Sequence, residues 1–330
     1  MAMTTPTSHP DPSLAFSAGL DFVPGSSRRI LTFAGGKGGV GRSFLAANLG
    51  IALARKFQSV LLVDGNLGSP DLHTALGREI ADVSLADFFE NNVPIEELIR
   101  PTFLPTLKIV CGAQVALESA NLKYLKKLQF LANLKRLVFD FILVDLGSGN
   151  AFNTLDFFLV GDSPLAITAP DPSAIENGWR FLKSAFFRHL LQPIDNETVR
   201  ILLKKQMNAR ELGSRNPLAF LDEVRREDPA SERQIRARLN DFRPRLILNR
   251  IRETAEESIG PDMAWIARRH LGFDLEYAGS LPYDDTARLS LRQGRPFLDD
   301  PAPSALRSAI EGLAQRLLGE GQLTLGLVSS

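Results

Sequence analysis

A glycine-rich segment between a strand-like run and a helix-like run constrains the fold more than any other feature of this sequence. The segment GGKGGVGRS, Gly35 to Ser43, fits the pattern G-x-x-x-x-G-x-[ST], with Gly36 and Gly41 at the two glycine positions. The apolar run RRILTFA precedes it, and SFLAANLGIALARKF follows with apolar residues at helical spacing. Glycines let the backbone curl so that its N–H groups point at an anion, and the N-terminus of the next helix adds its positive end. The segment therefore predicts a phosphate-binding turn in a parallel βαβ unit, with a merely tight turn as the minor alternative.

Apolar strand-like runs and helical segments alternate along the rest of the chain. The further strand-like runs are SVLLVD, TLKIVCG, FDFILVDLGSG, SPLAITAP, RPRLILNRI and LEYAGSLPYDD. This alternation predicts an α/β fold with one doubly wound, mainly parallel sheet. Ser173 is predicted to be the N-cap of the helix SAIENGWRFLKSAFFRHLL.

The same pass along the chain predicts its domain organisation. Residues 28–330 are expected to form a single domain with a helical insertion at about 192–243. The charge density of that insertion favours a solvated surface over a lid or a partner-binding surface. Residues 1–27 are rich in Pro, Ser and Thr and are expected to form a flexible arm. A short partner-binding segment, LAFSAGLDF, is the alternative for this arm.

Composition argues against several classes of function. Lys plus Arg and Asp plus Glu both number 38, so no net charge drives binding to nucleic acid or to an anionic membrane. The single cysteine, Cys111, suits a reducing cytoplasm and is too few for an iron–sulfur cluster carried by one chain. No apolar run approaches the roughly 18 residues of a spanning helix, and the final helix ALRSAIEGLAQRLL is expected to pack on the sheet. We therefore expect a cytoplasmic protein without a nucleic-acid partner and with at most weak, peripheral membrane contact.

Several motifs together resemble a known family. The form KGGVGRS resembles the deviant Walker A box of the MinD/ParA family of dimerising P-loop ATPases, and the FlhG/FleN-like branch in particular. LLVDGNLGSPDLHTALG is similar to the family segment D-x-D-L-G-x-x-[ND]-L, and FILVDLGSG is similar to its Walker B strand D-x-x-x-G. SLPYDDTARLSLRQGRPF resembles the proline-bearing loop and helix after the last strand. The resemblance covers most of the chain from Ile30 to Leu318, without the insertion.

The resemblance implies a protein that binds ATP or ADP with Mg²⁺ and forms a nucleotide-dependent homodimer. Lys37 matches the family's signature lysine, which reaches across the dimer to the partner's phosphates. Ser43, Asp64 and Asp145 match the residues that hold the Mg²⁺ shell, and Asn66 stands where a second aspartate positions the attacking water. The remaining residues expected to bind the nucleotide are Gly36, Gly38, Gly39, Val40, Gly41, Arg42 and Phe44 in the loop, Asn249 and Arg250 at the adenine base, and Pro282 and Asp284 flanking the base. For Asn249, capping of a strand-end turn is an equal alternative.

Two positions depart from the family pattern. Arg42 replaces the usual lysine and still offers a positive, bidentate fork to phosphate, but it is longer and planar. Asn66 can orient water by hydrogen bonds but cannot act as a carboxylate acceptor. Losing one element of charge placement in phosphoryl transfer costs roughly a factor of 100. We therefore expect a slow ATPase switch that recruits an unidentified protein partner in cellular positioning or in regulation of a surface assembly. The alternative is a pseudo-ATPase that binds or scaffolds without hydrolysis.

Overall fold

The computed structural model describes residues 29–79, 81–112, 124–192, 194–208 and 218–326. The strands in these ranges are β1 Arg29–Gly35, β2 Val60–Gly65, β3 Arg100–Pro101, β4 Leu107–Val110, β5 Phe141–Ser148, β6 Ser163–Thr168, β7 Arg245–Ile251 and β8 Glu276–Pro282. These eight described strands form one sheet in the order β3-β4-β2-β5-β1-β6-β7-β8. All neighbours run parallel except the short edge strand β3, which is antiparallel to β4. The predicted α/β class with a mainly parallel sheet is confirmed.

Helices cover both faces of the sheet. Their bounds are α1 Arg42–Ala54, α2 Leu72–Ala75, α3 Leu85–Asn91, α4 Ile95–Leu98, α5 Tyr124–Arg136, α6 Phe152–Phe158, α7 Pro172–Leu191, α8 Glu197–Asn208, α9 Phe220–Glu227, α10 Pro229–Arg238, α11 Ile259–Ile266, α12 Asp285–Arg292 and α13 Ala305–Gly326. Successive residues of β1 face opposite layers: Ile30 packs with the apolar side chains of α5, α6 and α7, whereas Leu31 and Phe33 pack with those of α1 and α13. Burial on both faces explains why the central strands are continuous apolar runs.

The start of α7 differs from the prediction. The helix begins at Pro172 with Asp171 as its N-cap, so the prediction of Ser173 as N-cap was wrong. A proline is well suited to the first helical position, because its missing N–H would have no partner there. The helix therefore starts earlier than the serine, and Ser173 is left in the first turn.

The range predicted as a helical insertion contains α8, α9 and α10. These helices expose charged residues but bury apolar ones, including Leu203, Phe220 and Ile235, in the core that also holds α7. The Phe220 ring lies 5.6 Å from the Phe187 ring of α7, centroid to centroid. The predicted flexible arm, residues 1–27, lies outside the described residues.

The last helix, α13, packs on the body of the domain, as predicted. Its residues Leu306, Ile310 and Leu313 are buried in the core layer that contains α1. Across the described part of the chain, no helix has both the length and the apolar character needed to cross a membrane.

Candidate functional site

The glycine loop connects β1 to α1 at the carboxyl edge of the sheet. Gly39 and Gly41 have φ angles of 77° and 92°, in the left-handed region that favours glycine. Gly36 is required for a different reason, because a Cβ there would lie 1.8 Å from the carbonyl oxygen of Asn177 in α7. Gly41 is the N-cap of α1 and supplies no side-chain cap. The first N–H groups of this 13-residue helix are therefore available to an anion.

Two buried aspartates lie at the carboxyl ends of neighbouring strands beneath this loop. Asp64 of β2 and Asp145 of β5 are paired in register, and both are fully buried. Within the described structure, neither carboxylate oxygen of Asp145 has a hydrogen-bond partner. Burial raises the pKa of Asp145 to about 7, although the Arg42 charge and the Ser43 hydroxyl oppose that rise. A buried carboxyl group without partners is costly, so this site is suited to a bound cation.

Asp64 is the more restrained of the two carboxylates. Its oxygens accept hydrogen bonds from the backbone N–H groups of Leu72 at 3.0 Å and Asn66 at 3.2 Å. Burial and then the nearby Asp145 charge nevertheless raise its pKa to about 8. Two carboxylates with raised pKa values, close to a serine hydroxyl, fit Mg²⁺, which takes few protein ligands and keeps several of its waters. No three His, Cys, Asp or Glu side chains in the described ranges form a metal-binding group by themselves.

Arg42 lies inside the protein, with a relative exposure of 7%. Its Nη1 donates a hydrogen bond to the carbonyl oxygen of Leu146, the residue after Asp145 in β5. One nitrogen of the guanidinium is thus bound to β5. Lysine, with a single terminal nitrogen, could not hold this carbonyl and present a second donor group to a phosphate in the same way.

Lys37 and Asn66 are held by local contacts. The Nζ of Lys37 donates to the Oγ of Ser173 in α7 at 2.7 Å, in an exposed position. The Nδ2 of Asn66 donates to the Ser69 carbonyl oxygen at 2.5 Å. The loop after β2 is therefore closed on itself through the Asn66 amide.

The Asn249 side chain is bound to the glycine loop. Its Nδ2 donates to the Val40 carbonyl oxygen at 2.8 Å, and its Oδ1 accepts from the Arg250 N–H at 3.0 Å. Arg250 itself has a φ of 67°, in the left-handed region. The amide thus holds the end of β7 against the loop. Such bonds to backbone groups are what the capping alternative predicts for Asn249.

A cavity of about 500 Å³ lies beside the loop, between α2 and α12. Its lining includes predicted residues Gly39, Gly41, Arg42, Ser43, Phe44, Asn249, Arg250, Pro282 and Asp284. Of the other predicted residues, Val40 is buried in the loop, and Asp64 and Asp145 lie beneath it. Gly36 and Lys37 lie on its α7 side, whereas Gly38 lies beside Ser148 at the end of β5. The cavity is large enough for a nucleotide-sized ligand.

Sequence reasoning missed several residues of this cavity. They are Asp71, Thr74, Ala75, Tyr283, Ala287, Arg288, Leu291 and Leu306. Tyr283 lies between Pro282 and Asp284, and its ring is covered by the Arg252 guanidinium at 3.5 Å. Its position between two predicted residues was the available signal. Asp71 occupies the [ND] position of the motif after β2, which was also visible.

Comparisons with known proteins place this geometry among its relatives. The family model described as the CobQ/CobB/MinD/ParA nucleotide binding domain matches residues 31–297. The septum site-determining protein MinD of Synechocystis sp. is 30% identical over 156 residues, which are 47% of this chain and 58% of that protein. The chain therefore spans little more than half the length of this relative. The antiactivator FleN of Pseudomonas aeruginosa is 21% identical over 291 residues, covering 88% of this chain and 86% of FleN.

The fold is also similar to solved structures. MinD from Pyrococcus horikoshii, complexed with Mg-ADP, superposes with a TM-score of 0.57 at 22% identity. The match covers 88% of this chain and 96% of that structure. At this identity the likeness concerns the fold.

Proposed function

Because the chain belongs to the CobQ/CobB/MinD/ParA nucleotide-binding family, we propose that it is an ATP-binding switch of the MinD/ParA type. ATP with Mg²⁺ occupies the cavity beside the glycine loop, with its phosphates at the N-terminus of α1. The ATP-bound form dimerises and recruits a protein partner in the cytoplasm. The similarity to MinD and FleN supports a role in cellular positioning or in regulation of a surface assembly.

The observation that carries this proposal is the state of Asp145. Its carboxyl group is fully buried beneath the loop, and neither oxygen has a hydrogen-bond partner in the described structure. Mg²⁺, when bound, neutralises charge on the phosphates and on this carboxylate. Ser43, Asp145 and Asp64 are the residues that would hold the ion, and the loop N–H groups would bind the phosphates.

Lys37 is the residue through which we propose dimerisation. It is partly exposed, and its only described hydrogen bond is the solvent-exposed one to the Ser173 hydroxyl at 2.7 Å. Water competes for this exposed bond, and a charged phosphate accepts a stronger hydrogen bond from the ammonium than a neutral hydroxyl does, so an incoming phosphate can replace it. A second subunit facing the loop would bring such a phosphate.

Hydrolysis is expected to be slow. The Arg42 guanidinium donates a hydrogen bond to the Leu146 carbonyl oxygen, and the Asn66 amide donates one to the Ser69 carbonyl oxygen. The resemblance places a charged group near the reacting phosphate at both positions. Here Arg42 is partly bound to another strand, and Asn66 carries no charge. The same observation favours the second candidate function, a pseudo-ATPase that binds nucleotide and partner without turnover.

The oligomeric state in solution tests the switch. We expect ATP with Mg²⁺ to convert monomer to dimer in size-exclusion chromatography with light scattering, whereas ADP does not. Lys37→Ala should abolish this dimer and retain nucleotide binding. Lys56→Ala is the matched control, because Lys56 is an exposed lysine just beyond the C-terminal end of α1. A wild-type protein that binds neither nucleotide in calorimetry would refute the proposal.

Turnover separates the two candidates. Phosphate release is measured under single-turnover conditions for the wild type and for Arg42→Lys with Asn66→Asp. If only these two positions limit the reaction, the double variant should be faster by roughly 10- to 100-fold. Wild-type turnover at the background rate, with normal ATP binding, would select the pseudo-ATPase.

A further inference from the structure

The segment between β2 and α2 carries the carboxylate of Asp71, at the [ND] position of the family motif, to which the resemblance assigned no role. The segment is held at both ends by Asp64, which accepts from the N–H groups of Asn66 and Leu72. In between, the Asn66 amide donates to Ser69. Position 71, directly before Leu72, is therefore fixed relative to the buried aspartates by hydrogen bonds within one short loop.

Asp71 lies at the edge of the nucleotide cavity. It is an exposed residue and lines that cavity together with Ser43 and Arg42. It is the N-cap residue of α2, yet its side chain makes no capping hydrogen bond. The N–H of the next residue, Leu72, donates to the buried Asp64 carboxylate at 3.0 Å, so Asp71 lies beside that carboxylate.

The expected roles of positions 66 and 71 are therefore exchanged. Asn66, at the position where a water-directing aspartate is expected, has its amide committed to the loop backbone. Asp71, five residues later, presents a carboxylate to the same cavity as the Mg²⁺ ligand candidate Ser43. A carboxylate accepts hydrogen bonds from Mg²⁺-bound water, which an amide does only through its one oxygen.

We propose that Asp71 supplies the acceptor carboxylate for the water shell around Mg²⁺ and the nucleotide phosphates, in place of the carboxylate missing at Asn66. This inference rests on the proposed function of the same site. Asp71 acts through water, so it is a positioning residue. Its charge repels phosphate when no cation is present and attracts the hydrated cation when one is.

The effect of the Asp71 charge on ATP affinity should therefore be opposite with and without Mg²⁺. Asp71→Asn should bind ATP as tightly as the wild type, or more tightly, in EDTA. In saturating Mg²⁺ it should lose affinity. The enhancement of ATP affinity by Mg²⁺ should fall by about tenfold, since outer-shell partners of metal ligands typically contribute 10- to 100-fold to metal affinity. Asparagine caps helices as well as aspartate does, so the variant keeps the start of α2.

Calorimetric titration with ATP, in EDTA and in Mg²⁺, measures this enhancement for four proteins. Besides the wild type and Asp71→Asn, these are Asp82→Asn and the double variant Asn66→Asp with Asp71→Asn. Asp82 is an exposed aspartate outside the cavity, so its variant should match the wild type. The double variant returns the carboxylate to position 66 at unchanged net charge and should recover most of the enhancement.

The outcomes separate the inference from the proposed function. An enhancement within twofold of wild type in Asp71→Asn, or an equal loss in Asp82→Asn, overturns the inference and leaves the proposed function standing. Failure of the double variant to recover overturns the exchange between positions 66 and 71. A wild type that binds no ATP in either condition overturns the proposed function and the inference together. Thermal unfolding of each variant without ligand confirms that it is folded.

Discussion

Replacing Asp145 by asparagine should stabilise the ligand-free protein, and more so as the pH rises. The folded-state pKa of Asp145 is raised from an ordinary value of 3.8 to about 7, first by burial. Between those two values the folded protein binds more protons at this group than the unfolded chain does. Stability therefore falls as pH rises through this window, and the full cost is present above the folded-state pKa.

The magnitude follows from the same two pKa values. Linkage for one such group gives a loss of about 2 to 3 kcal/mol in the free energy of unfolding between pH 5 and pH 8. Asparagine has the same shape and no charge, so the variant escapes this loss. It also removes the Asp145 charge that helps to raise the pKa of Asp64, which lowers the cost of ionising that second carboxyl group. For a domain of this size, the gain corresponds to roughly 5 °C in the unfolding midpoint.

The assay is thermal unfolding of wild type and Asp145→Asn in EDTA without nucleotide, at pH 5 and pH 8. At each pH, the unfolding midpoint of the wild type is subtracted from that of the variant. The readout is this difference at pH 8 minus the difference at pH 5. We expect this quantity to be positive for Asp145→Asn and near zero for Asp262→Asn, which alters an exposed aspartate of α11. A zero or negative value for Asp145→Asn would refute the argument that burial of this carboxyl group opposes folding. Adding Mg²⁺ and ATP should then stabilise the wild type alone.

Two further substitutions test the packing of the loop and a buried ion pair between α5 and α6. Gly36→Ala places a Cβ 1.8 Å from the Asn177 carbonyl oxygen, and we expect urea unfolding to show a loss of about 2 kcal/mol or more. Gly38→Ala is the control, because its Cβ meets only a side-chain oxygen at 3.7 Å, and equal losses in the two variants would contradict the steric argument. Asp156→Asn leaves the buried ammonium of Lys127, now 2.7 Å from the carboxylate, without that charge, and should cost about 3 kcal/mol in the same assay. A cost as small as that of an exposed pair, under about 1 kcal/mol, would show that this buried pair does not stabilise the fold.

The strands and the loop were predictable from the sequence because their signals are local. Each central strand is a continuous apolar run, since both faces are buried, and the glycine spacing needed no tertiary information. The two-residue edge strand β3 escaped prediction, because a segment of that length has no periodicity. The N-cap of α7 was placed at Ser173 rather than Asp171 because a serine before a helical pattern and an aspartate before a proline are both valid starts.

The arrangement of the candidate site depends on contacts between distant segments. Lys37 meets Ser173 across 136 positions, and Asn249 meets the loop across 209. No spacing rule relates residues so far apart in the chain. Arg42 was identified from the sequence as a departure, but its bond to the Leu146 carbonyl depends on how β1 and β5 pair, which only the sheet order determines.

Helix α7 connects the loop physically to the helices of the predicted insertion. At its first turns, Gly36 packs against the Asn177 carbonyl and Lys37 bonds to Ser173. At its other end, His189 contacts the Arg238 carbonyl of α10 at 3.2 Å, and burial lowers the pKa of this histidine to about 4. The imidazole is therefore neutral at physiological pH, and this contact does not depend on a charge that could titrate there. A helix of 20 residues spans about 30 Å and bends little, so a loop movement that displaces its first turns must carry α8 to α10 with it or break the contacts at one end. The charge-dense helices thus pack on the same helix that contacts the glycine loop, and substitutions among them should be examined for effects on nucleotide binding as well as on stability.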